Sequence, residues 1–228
     1  MGGMKKIAIA DDHALIREGI KAALAGTDNY NIVGEVSDGR ACINLLKQEP
    51  IDVILLDIDM PQKNGVEVGQ WIKSMQLNVK IIYITSHVDF FSFYQAWKLR
   101  PSGFLFKENA LEEILLCLQQ VEQGATYFSP ETEAFLNSNQ HLVKNFEAIH
   151  EKLNALSAKE KQILLHIANS KTTSEIADEL FNSYKTIENH RYNISRKLDI
   201  NGANNLMRFA IQHYDLIKAE VSDDIRDL

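Results

Sequence analysis

The 228-residue sequence has only two cysteines and four prolines. Cys42 and Cys117 have neither the C-x-x-C nor a zinc-ligand spacing, which excludes a disulfide scaffold and a cysteine-built zinc site. In apolar surroundings they are expected to be reduced core thiols, as in a cytoplasmic protein. Apolar runs such as Val53–Leu56 and 114–118 fall far short of the ~20 residues that cross a bilayer. The opening Met1-Gly2-Gly3-Met4 lacks the apolar centre of a secretory signal, and Met4 is a second candidate start. There is also no excess of positive charge. The net charge of −7 argues, taken globally, against a strongly basic nucleic-acid binder.

That charge is unevenly spread. Residues 1–125 carry −4, 126–154 carry −2, 155–218 carry +2, and 219–228 carry −3. The only positive stretch is one compact segment. Hydrophobic residues at 45% and charged residues at 24% are ordinary globular values, and the length suits one large domain or two small ones.

Residues 4–125 alternate short apolar runs (6–10, 32–36, 53–57, 79–85 and 103–106) with helix-length amphipathic stretches. Five strand-helix units predict an α/β domain with a five-stranded, doubly wound parallel sheet. Its active crevice should lie at the carboxyl ends of the strands. Residues 126–154 read as a partly helical linker, with 137–141 its most polar point. Residues 155–218 read as an all-α, four-helix domain with Ser157, Thr172 or Thr173, and Ser183 as caps. The acidic tail 219–228 is expected to fray.

The strand ends collect Asp11, Asp12, Asp57, Thr85 and Lys107. Three converging carboxylates repel unless a cation sits among them, and a hard divalent ion such as Mg²⁺ suits oxygen ligands. Cation, ammonium and hydroxyl together can neutralise the three oxygens of a phosphoryl group transferring to Asp57. A helix-capping role suits any one of these residues. It does not explain all five spread over four strand ends.

The motifs I-A-I-A-D-D at 7–12, V-I-L-L-D-I-D-M-P at 53–61, I-T-S at 84–86 and G-F-L-F-K-E-N-A at 103–110 resemble the flavodoxin-like receiver domain of bacterial response regulators. The resemblance implies that Asp57 takes a phosphoryl group from a sensor histidine kinase. Asp12, Asp57 and the backbone carbonyl of Asp59 would bind Mg²⁺, with Asp11 acting through water. Lys107 would pair with phosphoryl oxygens, Thr85 would move to the phosphoryl group, and Phe104 would swing inward behind it. Asp59 and His87 occupy positions that border the water route in this family, so the pair is a candidate for tuning phosphoryl lifetime. Departures include Glu108 after Lys107, where many receivers have proline. Phe90, Phe91, Phe93, Tyr94 and Trp97 give an unusually aromatic fourth helix, either core or a docking patch.

A basic helix over about 184–198 carries Lys185, Arg191, Arg196 and Lys197 against Glu188, and follows a capped helix by a tight turn. A helix fits the DNA major groove. The runs L-S-A-K-E-K-Q-I-L-L-H-I-A from Leu156, S-E-I-A-D-E-L from Ser174 and S-Y-K-T-I-E-N-H-R-Y-N-I-S-R-K-L from Ser183 resemble the LuxR-type helix-turn-helix domain. By that resemblance Lys185, Thr186, His190 and Arg191 contact DNA phosphates, while Glu188, Asn189 and Tyr192 face base edges. Glu188 replaces the lysine common there. The helix over 203–213, with Leu206, Met207 and Phe209, would be the dimer element.

The two resemblances together imply a NarL/FixJ-type response regulator. It would be cytoplasmic, off the membrane, and no enzyme beyond self-phosphorylation and slow dephosphorylation. Phosphorylation would drive homodimerisation on double-stranded promoter DNA. The rivals are an aspartyl-phosphate phosphohydrolase, an interaction module without DNA binding, and a receiver that works without phosphate.

Overall fold

The computed structural model describes residues 4–86 and 89–226, the side chains of 222–226 excepted. The chain divides into two compact units, 1–139 and 140–228.

In the first unit, strands and helices alternate as the apolar runs predict. The order is β1 (Lys5–Ala10), α1 (Ala14–Leu24), β2 (Tyr30–Val36), α2 (Gly39–Gln48), β3 (Val53–Leu56), α3 (Gly65–Ser74), β4 (Lys80–Thr85), α4 (Phe90–Lys98), β5 (Gly103–Phe106) and α5 (Lys107–Glu122). The strands pair in parallel in the order 2-1-3-4-5. β1, β3, β4 and β5 bury both faces, while β2 at the edge is only partly covered. Ala8, Ile54, Leu56, Tyr83 and Phe104 meet the helices on one side, and Ile7, Ile9, Leu55, Ile84 and Leu105 those on the other. Burial on both faces is why these strands read as continuous apolar runs rather than alternating ones.

The sheet has a sixth strand, β6 (Tyr127–Phe128), where five were expected. Two residues are too short a pattern to register in sequence. They pair with the open edge of β5, where Tyr127 N–H donates to the Ser102 carbonyl (3.0 Å) and Ser129 N–H to that of Phe104 (3.1 Å). An edge strand leaves such groups unpaired unless something covers them. Ser129 then caps α6 (Pro130–Ser138), accepting from Thr132 N–H, with proline at the first helical position.

The second unit contains α7 (Gln140–Asn154), α8 (Ala158–Ala168), α9 (Thr173–Glu179), α10 (Tyr184–Leu198), α11 (Ala203–Gln212) and α12 (Tyr214–Arg226). Capping boxes at Ser157/Glu160 and Thr172/Glu175 start α8 and α9. Ile163, Leu164, Ile176, Ile187, Ile194 and Leu198 form the core. The tail expected to fray is helical through Arg226, and 227–228 lie outside the described residues. Leu216 and Ile217 are buried, and Glu220 accepts from Lys161 Nζ (3.0 Å) and pairs with His150 Nδ1 (2.6 Å). The acidic composition hid a helix anchored by one buried carboxylate. Leu206 is likewise a core residue, 1% exposed, and so is not free to pair two chains through α11. Met207 and Ile211 are the exposed apolar residues of that helix.

Candidate functional site

At the carboxyl ends of β1, β3 and β5 the structure brings Asp11, Asp12, Asp57 and Lys107 together. Asp11 and Asp57 are almost wholly buried, while Asp12 is exposed. Lys107, the first residue of α5, puts its Nζ 2.8 Å from Asp57 Oδ2 and 2.9 Å from Asp11 Oδ2. Burial works against its charge, but the two carboxylates outweigh that and raise its pKa. Burial also pushes the Asp57 carboxyl up to about 6. Lys107 opposes this, as does the Asp59 N–H that donates to Oδ1 at 3.3 Å, while Asp11 reinforces it.

Oxygens of Asp11, Asp12 and Asp57 and a ring nitrogen of His13 lie within 4.8 Å of one another. One ammonium does not balance three carboxylates. This donor set suits a hard divalent cation such as Mg²⁺. His13 was not singled out by the sequence reading. Its Nδ1 stands 2.6 Å from Asp12 Oδ1 and 3.4 Å from Lys107 Nζ, and the D-D-H run after the first strand was the signal available.

Thr85 ends β4 fully buried, and its hydroxyl has no hydrogen-bond partner among the described residues. An unpaired buried hydroxyl costs free energy unless an acceptor arrives. Phe104 is 0% exposed, packed 4.7 Å from Phe93 and 5.7 Å from Tyr83 between ring centroids. Any movement it makes therefore starts from a covered ring. The Asp59 side chain is exposed at the loop after β3, and His87 lies outside the described residues. The start of α3 presses on that loop, because a Cβ at Gly65 would stand 2.0 Å from the Asp57 carbonyl oxygen. The fourth-helix aromatics divide as well. Phe93 and Tyr94 are buried, and Phe90 and Trp97 meet Phe135 and Phe128 from the segment that follows α5.

In the second unit Ser183 caps α10 by accepting from Thr186 N–H, and the two hydroxyls lie 2.8 Å apart. Thr186 thus takes part in the cap, and its hydroxyl keeps further hydrogen-bonding capacity. Lys185, Glu188, Asn189 and Tyr192 are exposed on one face, and His190 and Arg191 are half-buried. Lys185 Nζ donates to Glu188 at 2.8 Å, so the helix's lone acid masks one of its cations. Lys197 reaches inward instead, donating to Glu160 at 2.6 Å and tying α10 to α8. Arg191 Nη1 is buried with no hydrogen-bond partner among the described residues. Such a guanidinium suits a phosphate oxygen.

Residues 7–119 match the response regulator receiver domain family, and residues 154–210 match the bacterial regulatory proteins of the luxR family. The chain is 31% identical to response regulator GacA of Pseudomonas aeruginosa over 92% of this chain and 97% of that protein. It is 31% identical to the fimbriae Z protein of Escherichia coli K12, over 92% and 98%. Among solved structures, the Salmonella typhimurium response regulator RcsB superposes with a TM-score of 0.54 at 26% identity, covering 91% of this chain and 98% of that one. RcsB has also been solved as two dimers bound to two parallel DNAs (TM-score 0.53, 26% identity, 90% and 97% covered). A receiver followed by a LuxR-type DNA-binding domain defines a two-component response regulator that acts in transcription. The chain belongs to the NarL/FixJ type of that family.

Proposed function

We propose that Asp57 accepts a phosphoryl group from the phosphohistidine of a sensor kinase, and that this controls pairing of two chains on promoter DNA. The observation that carries the reading is the Lys107 ammonium held between Asp57 and Asp11, with the buried Thr85 hydroxyl, unpartnered among the described residues, at the end of β4, the strand between β3 and β5. An Asp57 carboxylate oxygen attacks phosphorus as the P–N bond to the imidazole breaks, leaving an acyl phosphate on Asp57 and a free histidine on the kinase. Asp12, Asp57 and the Asp59 backbone carbonyl would hold Mg²⁺ directly and Asp11 through water. That ion would supply neutralisation of charge on the transferring group. Lys107 pairs with a phosphoryl oxygen, and Thr85 gains the acceptor it lacks.

With Asp57 phosphorylated, the receiver surface around α4 and β5 changes partners, and the second unit binds paired half-sites as a dimer. Lys185, Thr186, His190 and Arg191 position the helix on phosphates, while Glu188, Asn189 and Tyr192 meet base edges. A cytoplasmic site of action follows from this chemistry, since the kinase's phosphohistidine and the chromosome are both there. No helix among the described residues is long and apolar enough to cross a membrane. The protein has no turnover chemistry beyond its own phosphorylation and slow dephosphorylation.

The test is to treat the full chain with a small phosphodonor and Mg²⁺, and to follow oligomer size and retention of genomic DNA fragments. Wild type should shift towards a dimer and retain a discrete set of fragments, and Asp57→Ala should do neither. Equal behaviour of the two proteins would contradict the reading.

A further inference from the structure

The segment after the receiver fold is fastened to the very residue expected to switch. Phe104 offers one backbone carbonyl to two donors from this segment, Ser129 N–H (3.1 Å) and Thr132 Oγ1 (3.1 Å). Ser129 and Thr132 are both buried, 1% and 0% exposed, so these bonds are shielded from water. One turn further on, Phe135 of α6 packs 4.8 Å from Phe93, 6.0 Å from Phe106 and 6.3 Å from Phe90. Phe93 in turn lies 4.7 Å from Phe104. Phe106 is the partner of Thr85 in the β4–β5 register and immediately precedes Lys107. A single α6 ring thus touches α4 and β5, and through them meets both halves of the switch.

We infer that α6 is an intramolecular strap on the α4–β5 face, docked in the unphosphorylated chain and loosened when phosphorylation repacks Thr85 and Phe104. This inference rests on the phosphorylation reading above. Packed aromatic clusters do not deform smoothly, so a move of Phe104 or of the β5 backbone must change the seat of Phe135. An event that favours one arrangement of the switch then disfavours docked α6, and the coupling is reciprocal at equilibrium. α6 ends at Ser138 with Asn139 as its cap, and Gln140 begins α7, so α6 is also the last element before the DNA-binding unit begins. Releasing the strap frees the α4–β5 face and the covalent lead into that unit in one step.

The test uses the full chain with Mg²⁺ and beryllofluoride as a phosphoryl mimic. It reads amide hydrogen exchange over residues 127–138 and the affinity for beryllofluoride. In wild type, exchange over 127–138 should speed up on adding the mimic, and in Asp57→Asn it should not change. Phe135→Leu and Thr132→Val keep bulk in place while weakening the dock. Both should exchange faster without the mimic and bind it severalfold more tightly than wild type. If beryllofluoride fails to bind wild type, the phosphoacceptor reading falls and takes this inference with it. If it binds at Asp57 but leaves exchange over 127–138 unchanged, or if the variants bind it no more tightly, the strap alone is overturned.

Discussion

Lys107 Nζ donates to Asp57 Oδ2 across 2.8 Å, yet the Asp57 carboxyl is still pushed up to about 6. Burial beside Asp11 outweighs one ammonium. Asp57 is therefore a carboxylate whose charge its buried surroundings disfavour, and whatever adds positive charge to the crevice or neutralises Asp57 should stabilise the domain.

The first prediction concerns pH. In the unfolded chain Asp57 releases its proton near the ordinary 3.8, and in the fold near about 6. Between those values the native state holds the extra proton, so stability falls as pH rises from about 4 to about 6. Asp57→Asn removes this penalty. At pH 7.5 without divalent cations the variant should be more stable by on the order of 1–3 kcal/mol, measured by urea unfolding. Added Mg²⁺ should stabilise wild type more than the variant. A variant less stable than wild type across this range would contradict the charge account.

The second concerns Gly65. Its Cβ would meet the Asp57 carbonyl oxygen at 2.0 Å, and backbone there cannot step aside. Gly65→Ala should displace the loop after β3, costing about 1–3 kcal/mol and slowing phosphorylation by a small phosphodonor severalfold. Unfolding and intact-mass time courses check both. Wild-type kinetics in the variant would show that the loop has slack.

A third concerns DNA. Glu188 neutralises Lys185 across 2.8 Å and repels phosphates. Glu188→Lys removes that repulsion and frees Lys185. Affinity for unrelated DNA should rise, and the slope of log K against log salt should steepen by about 1–2. Preference among promoter fragments should also change, because a carboxylate can accept from cytosine N4 and an ammonium cannot. Unchanged slope and preference would place Glu188 outside the interface.

The fourth concerns α12. Glu220 meets Lys161 and His150, residues of two other helices, from a mostly buried position. Glu220→Ala removes that carboxylate from Lys161 and should destabilise the DNA-binding unit by about 1–3 kcal/mol. The receiver unit should be unaffected. Denaturant unfolding followed by hydrogen exchange in each unit measures this, and unchanged protection in α8 and α12 would contradict it.

Much of this architecture was legible because it rests on local rules. The buried runs at 7–10 and 53–56 specify parallel strands, and Ser157, Thr172 and Ser183 cap the helices that their spacing suggested. The acidic crevice was legible too, because Asp11, Asp57, Thr85 and Lys107 each lie at the end of a different strand. What escaped depends on contacts between distant residues. The two-residue β6 exists through pairing with β5, and α12 through Leu216, Ile217 and the buried Glu220. Lys197 counts as a cation on the reading helix until Glu160, 37 residues earlier, is seen to hold it. Five fourth-helix aromatics left core and docking patch undecided. For three of them, Phe90, Phe93 and Trp97, the answer lay in Phe128 and Phe135, which pack on them from a segment that sequence alone marks only as a linker.

The most direct test of the central claim is intact-mass and peptide mapping of the full chain after treatment with a small phosphodonor and Mg²⁺. One phosphoryl group per chain, located on Asp57 and absent from Asp57→Ala, is the expected result. Equal labelling of wild type and Asp57→Ala, or a label on another residue, would contradict the account.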